Sequence, residues 1–240
     1  MTLAGLPERE SDPYIAFRPA FPPVELGSPD TALLVVDMQY GCVGREHGFI
    51  AAAHAAGRHQ DAAYFEERLE GVAIPNIATL QSTFRTRRRP VVHTHIQSLT
   101  ASGVDRSPVH QALGIHYPPG SVGARFLEEL APEPGEVVLA KTSSSVFNST
   151  AIHYVLTNLG IRNLVVCGCV TTGCVETAVR DAADLGYRVV LAEDACAAVV
   201  EEMHLASVRA VRDVYAEVCS TKEVVSRVSG VRPVTGAGHE

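Results

Sequence analysis

A chain of 240 residues, 46% hydrophobic, is long enough for one sizeable α/β core and gives no sign of a second domain. Its formal net charge of -7 argues against nonspecific nucleic-acid binding, and no apolar segment reaches membrane-spanning length. The N-terminus MTLAGLPERESDP lacks a signal peptide's apolar stretch, and six cysteines in a chain this long do not read as a disulfide scaffold; a cytoplasmic protein with free thiols is expected.

Residues 1–30 carry Pro7, Pro13, Pro19, Pro22, Pro23 and Pro29, which predict an extended arm able to wrap a neighbouring subunit; residues 31–228 form the domain and 229–240 a flexible tail. The first strand, Thr31 to Val36, is apolar and β-branched and runs into Asp37-Met38-Gln39. A carboxylate at the C-terminal end of a parallel strand faces the crevice where α/β proteins place ligands; a helix-capping aspartate is the competing reading. Residues 41–63, rich in Gly, Ala and His with weak periodicity, predict a long, partly helical loop over the site. Pro75 to Arg87 has Ile77, Leu80 and Phe84 at helical spacing, and Arg85, Arg87, Arg88 and Arg89 read as a solvated helix end.

The second strand is predicted over Pro90 to Ile96. His93 and His95 share one of its faces, and without a third ligand they read as polar lining rather than a metal site. An irregular loop over 98–120 and a short helix over Arg125 to Leu130 lead to the third strand, Val137 to Ala140. Lys141 closes that strand as Asp37 closes the first. A lysine there is usually a solvated charge, but the following TSSSVFN looks like a polar loop shaping a pocket. A helix over Thr150 to Leu159, stopped by Gly160, delivers the chain to the segment on which the rest turns.

In IRNLVVCGCVTTGCVETAVRDAADLGY, Leu164, Val165 and Val166 form a strand buried on both faces, and Val175, Ala178, Val179, Ala182 and Leu185 recur at helical spacing. Cys174 therefore sits in or near a helix's first turn, where unpaired N–H groups and the helix dipole favour a thiolate. Cys167, Cys196 and Cys219 read as inert core. The spacing Gly168-x-x-x-x-Gly173 resembles a phosphate-binding loop, but Cys174 and Val175 stand where its lysine and hydroxyl belong, which rules out nucleotide binding. A strand over Arg188 to Ala192, a helix over Glu201 to Val214 and a short strand near Glu217 to Ser220 complete the order. Alternating strands and helices predict a parallel sheet with right-handed crossovers.

The pieces LLVVDMQ, the strand-end Lys141 with SSSVFNST behind it, LVVCGCVTTGCVETAVRDAADLGY and VVLAEDACAA together resemble the isochorismatase-like cysteine hydrolases, from Thr31 to Val225. The resemblance implies a single-domain, Rossmann-like three-layer α/β/α sandwich with a mostly parallel sheet, a catalytic triad of Asp37, Lys141 and Cys174, and a non-proline cis peptide at Cys169-Val170. It implies Asp37 as proton acceptor, Lys141 as charge stabiliser, Cys174 as nucleophile towards an amide or carbamoyl carbon, and the N–H groups of Val170 and Cys174 as oxyanion hole. Nicotinamidases of the family carry a metal-binding Asp-x-His where this chain has Ile96 and Ser98, so no metal and no other cofactor is expected. True isochorismatases need no nucleophilic cysteine. What remains resembles the N-carbamoylsarcosine, biuret and ureidoacrylate amidohydrolases, with a small amide or ureido substrate, release of ammonia and a homo-oligomer, dimer or tetramer. Gln39, His95, Gln97 and Phe147 are the candidate substrate-binding residues. Three other readings remain open: a nicotinamidase-like or other amidase of the family, a non-catalytic binding module on the same fold, and a thiol redox protein using Cys169 with Cys174.

Overall fold

Continuous apolar runs become the strands of one sheet in the computed structural model, which describes Phe17 and residues 19–230. The strands are β1 (Thr31–Val36), β2 (Val91–Ile96), β3 (Val137–Lys141), β4 (Asn163–Cys169), β5 (Arg188–Ala197) and β6 (Glu217–Cys219). Their order across the sheet is β3-β2-β1-β4-β5-β6, and every neighbouring pair is parallel. All residues of β1, β2 and β4 are buried, as strands covered on both faces require. The chain steps one way from β1 to β2 and the other way from β4 to β5. Right-handed crossovers then put α4 (Ile74–Thr86) and α8 (Glu176–Asp184) on opposite faces, giving three layers. Helix α10 (Thr221–Ser229) packs beside α4, and α6 (Val146–Ser149) and α9 (Glu201–Val211) pack beside α8.

The strand order reverses between β1 and β4, and such a switch point is where open α/β sheets bind ligands. Here the backbones come very close. Gly168 pairs with Val36 and has a φ of 121°, and a Cβ on it would lie 2.1 Å from the Val36 carbonyl oxygen. No other residue type fits that crossing.

Several elements differ from the predicted ones. Residues 41–63 are largely helical, with α1 (Tyr40–Val43), α2 (Gly48–Ala55) and α3 (His59–Arg68), because alanine favours helix even where the amphipathic pattern is weak. The irregular loop over 98–120 contains α5 (Pro108–Ala112), and α7 (Ile152–Asn158) is shorter than its predicted span. In place of one short helix over Arg125 to Leu130 there are two 3-10 turns, Val122–Ala124 and Glu128–Leu130. Strand β5 runs on to Ala197, five residues past its predicted end, because its ladder to β4 resumes beyond the irregularity opposite Val166 and Gly168.

The described part of the N-terminal arm lies on its own domain. Val24 and Leu26 are buried, the Val24 N–H donates to Glu217 Oε2 at 2.9 Å, and Arg227 Nη2 donates back to the Val24 carbonyl at 2.5 Å. Residues 1–16 and 18 of the arm and 231–240 of the tail lie outside the described residues. Among those described, no helix is long and apolar enough to cross a membrane.

Candidate active site

Asp37, Lys141 and Cys174 come from the ends of β1, β3 and β4, and the parallel sheet brings all three to one edge. Lys141 Nζ lies 2.8 Å from Asp37 Oδ2 and 3.1 Å from Cys174 Sγ. It also donates to the carbonyls of Ser143 at 2.9 Å and Ser144 at 3.1 Å, so the loop after β3 turns back to cap its own lysine. An ammonium has three donors, and these two carbonyls with the sulfur match them. Asp37 Oδ2 faces this ammonium as an ion pair, and a carboxylate oxygen has a second lone pair with which to take a proton. Oδ1 is held separately by Thr94 Oγ1 at 3.1 Å. Asp37 itself sits at a φ of 53°, in the left-handed region that aspartate tolerates better than most residues.

Side chains of Asp37 and Lys141 are fully buried, and Cys174 is 8% exposed. On strand β3 the lysine is the only buried residue, the reverse of the solvated strand-end charge that sequence statistics favour. Burial opposes its charge, but the Asp37 carboxylate leads the groups that outweigh it, raising its pKa above the usual lysine value. Cys174 goes the other way from expectation. Burial and the Asp37 carboxylate push its thiol up to about 12, against a partial counter-effect from Lys141. Burial and Asp37 thus favour the thiol, the opposite direction to the dipole-stabilised thiolate expected from the sequence. Cys174 lies in a π-helical turn, Thr171–Val175, one turn ahead of α8, where a helix terminus cannot outweigh desolvation beside a carboxylate.

The turn bearing Cys174 follows the cis peptide Cys169-Val170, and the Val170 carbonyl accepts from the N–H groups of Gly173 at 3.0 Å and Val175 at 3.3 Å. Its other anchor is a buried polar cluster. Arg68 Nη2 donates to the Glu193 carbonyl at 2.9 Å, to Glu193 Oε2 at 3.2 Å and to His204 Nε2 at 3.1 Å, and Arg68 Nε donates to the Cys196 carbonyl at 3.1 Å. His204 Nε2 also lies 3.5 Å from Glu193 Oε2, and its Nδ1 is 2.8 Å from Thr171 Oγ1, which ties the cluster to the Cys174 turn.

The predicted substrate-binding residues lie elsewhere. In the β2–β3 register Ile96 stands beside Lys141 and His95 beside Ala140, so side-chain alternation puts His95 and Gln97 on the face opposite Lys141. His95 stacks on Phe126 with ring centroids 4.9 Å apart and its Nδ1 contacts the Ala124 carbonyl at 2.6 Å; His93 on the same face meets Glu136 at 3.0 Å. Gln39 is a structural brace. Its amide donates to the Ile96 and Gly123 carbonyls at 3.0 and 2.7 Å and accepts from the Ile96 N–H at 2.5 Å. Phe147 packs on Tyr187 at 6.0 Å, beside the first residue of β5 and therefore at the opposite edge of the sheet.

Groups that the sequence did not single out lie within electrostatic range of Asp37 and Lys141. The charges of Asp37 and Lys141 reach His110 on α5 and Cys42 on α1, and that of Asp37 also reaches Tyr117. The Tyr117 hydroxyl donates to the Gly41 carbonyl at 2.7 Å, and its ring fills the space where a Cβ on Gly41 or Gly123 would stand. A signal for α5 was present: Ser107-Pro108 is a capping residue followed by a first-turn proline, and the Ser107 hydroxyl does accept from the His110 N–H. Cys167, Cys196 and Cys219 are buried as expected, and Cys169 and Cys174 are both free thiols.

A cavity of about 410 Å³, lined by Tyr40, Val43, His47 and Glu70 among others, includes none of the triad. Glu217, Cys219 and Glu223 are the one group of ligand atoms close enough together to hold a metal among the described residues. Arg227 Nη1 already contacts all three, at 2.7, 3.3 and 3.4 Å, so a cation is in place there.

Comparison with known proteins matches residues 31–223 to a family described as the Isochorismatase domain. The chain is 31% identical over 211 residues to the ureidoacrylate amidohydrolase RutB of Variovorax paradoxus, covering 81% of this chain and 79% of that protein. Among solved structures, N-carbamoylsarcosine amidase from Thermoplasma acidophilum is 27% identical with a TM-score of 0.60, covering 80% of this chain and 96% of the other. A cysteine hydrolase from Pseudomonas syringae pv. phaseolicola shares the fold at 22% identity, with a TM-score of 0.71 over 89% of this chain and 99% of its own.

Proposed function

The chain belongs to the isochorismatase family of hydrolases, and from that premise we propose that it is a cysteine-dependent amidohydrolase that cleaves a C–N bond of a small linear amide, carbamoyl or ureido compound and releases ammonia. The observation that carries this reading is one sulfur with an ammonium 3.1 Å away, itself 2.8 Å from a carboxylate. Two similar proteins named for ureido and carbamoyl substrates support the substrate class.

The resting thiol sets the order of events. Asp37 takes the Cys174 proton as Sγ bonds to the substrate carbonyl carbon, so thiolate and tetrahedral adduct form together rather than a thiolate waiting in advance. Lys141 holds its positive charge against the sulfur throughout. The N–H groups of Val170 and Cys174 take the developing oxyanion. Collapse breaks the C–N bond, and protonated Asp37 gives its proton to the departing nitrogen. Water then attacks the thioester as Asp37 removes a proton from it. The acid or carbamate leaves, and the proton on Asp37 returns to Sγ. We further place the enzyme in the cytoplasm as a homo-oligomer that needs no metal or cofactor, so activity persists in chelator and sedimentation gives a dimer or tetramer.

The test is ammonia release from a panel of ureido compounds and primary amides, with intact-mass detection of an acyl adduct on Cys174. Wild-type protein turns over at least one of them, and Cys174→Ala abolishes both release and adduct. Turnover undiminished by Cys174→Ala removes the assigned nucleophile.

A further inference from the structure

Helix α5 is tied directly to the lysine loop. The Ser107 N–H donates to the carbonyl of Thr142, the residue after Lys141, at 2.9 Å, and the Ile115 N–H closes the other side by donating to the His110 carbonyl at 2.9 Å. This carries His110 into the electrostatic reach of Lys141 and Asp37. Its side chain is 1% exposed, and Nδ1 is buried with no hydrogen-bond partner. Leaving such an atom unpaired is costly, so a bare buried imidazole nitrogen within electrostatic range of Lys141 and Asp37 calls for an explanation.

Resting on the amidohydrolase reading, we propose that His110 is a substrate-contacting residue that hydrogen-bonds the uncharged amide or ureido end of the substrate as its carbonyl carbon meets Cys174. The cations that act on His110 are already engaged. Lys141 is matched by Asp37, two carbonyls and the sulfur, and Arg106 donates to the Gly103 and Ile115 carbonyls at 2.9 and 2.8 Å. The Tyr117 hydroxyl is spent on Gly41, and burial, then Asp37, keeps the Cys42 thiol protonated. Among the described residues, the cations that act on His110 leave no free positive partner for a carboxylate at this end of the substrate. Burial, and then Lys141, hold the His110 imidazole below its usual pKa, so at neutral pH the ring carries one donor and one acceptor. A primary amide or ureido group offers the complementary donor and acceptor, whereas a carboxylate offers acceptors alone.

Two measurements test this on the full-length protein. In steady-state kinetics on the substrates that wild type turns over, His110→Leu raises KM roughly tenfold, the effect of one lost buried hydrogen bond, with a smaller change in kcat, and His110→Gln recovers part of the loss. Cys174 labelling is the arm that needs no turnover: iodoacetamide presents an amide and iodoacetate a carboxylate to the same sulfur. Wild type favours iodoacetamide, and that preference falls several-fold in His110→Leu and is partly restored in His110→Gln. If the leucine variant does not fold, the glutamine variant is compared with His110→Asn, which places its amide nearer Nδ1. Unchanged KM and an unchanged labelling preference across the folded variants overturn the His110 assignment while leaving the hydrolase reading intact. Turnover that survives Cys174→Ala sinks the hydrolase reading instead, and the labelling preference then still reports on His110.

Discussion

The triad and the Arg68–Glu193–His204 cluster both bury opposite charges against the turn that carries Cys174, yet they are wired differently. In the cluster each polar group is matched: Arg68 reaches two carbonyls, a carboxylate and an imidazole, and the imidazole reaches Thr171. In the triad Asp37 Oδ2 meets the Lys141 ammonium at 2.8 Å, and burial together with that carboxylate favours the protonated sulfur. A fully paired buried network fixes geometry, whereas a carboxylate with a free lone pair next to a protonated thiol is ready to move a proton. The difference separates a frame from a centre able to pass a proton, although both contain a buried acid and a buried cation.

The sharpest way to break this comparison is to remove members of each side. Cys174→Ala or Lys141→Met lowers kcat/KM by about 10⁴-fold or more, and the double variant is no worse than either single one, because residues that act as a unit are not additive. Glu193→Gln acts on stability instead. It leaves the Arg68 guanidinium buried without its counter-charge and costs about 3–5 kcal/mol in denaturant unfolding, while adding Arg68→Met costs less than the sum of the two. The same residue gives a pH signature. Burial alone raises the Glu193 pKa, but His204 and Arg68 outweigh it and hold it below the usual carboxylate range. Its stabilisation is complete above the unfolded glutamate's pKa, near 4.3, and is lost as pH falls through the lower folded value. Unfolding followed from pH 7 downward should show that acid limb in wild type and lack it in Glu193→Gln.

Thiol labelling separates the charges within the triad. Because Asp37 raises the Cys174 pKa and Lys141 lowers it, Asp37→Asn is alkylated roughly tenfold faster at neutral pH even though it loses turnover, and Lys141→Met is alkylated more slowly. Wild-type labelling climbs from pH 9 towards the thiol's value of about 12 rather than levelling off near 9. Slower labelling in Asp37→Asn would contradict the electrostatic assignment. The smallest effect belongs to Tyr117→Phe, which loses the hydrogen bond to Gly41 and about 1 kcal/mol of stability by thermal melting.

Much of this was legible in the chain. Strands β1 and β4 are unbroken apolar runs, and no amphipathic element produces that pattern, so their ends, and with them Asp37 and the turn to Cys174, could be placed by counting. Lys141 followed from the same reasoning on β3, although three of that strand's four preceding residues are only half-buried. His95 and Gln97 line a separate cavity on the face opposite Lys141, and Gln39 is occupied as a brace, because sequence gives a residue's position along an element but not which face its neighbours leave open. His110 escaped notice because its helix has five residues, too few for a periodic signal.

By itself, the sequence determined the order and kind of the main elements, the parallel sheet and the three side chains that meet at its edge, because burial on both faces and alternation of strand with helix are local and repetitive properties. Tertiary packing set the environment that favours a protonated cysteine, made the lysine the one buried residue of a half-buried strand, and brought a histidine from a short loop helix into electrostatic range of that lysine. Those properties depend on which distant groups share a small volume with little water, where desolvation and a neighbouring charge outweigh anything a single turn of chain contributes.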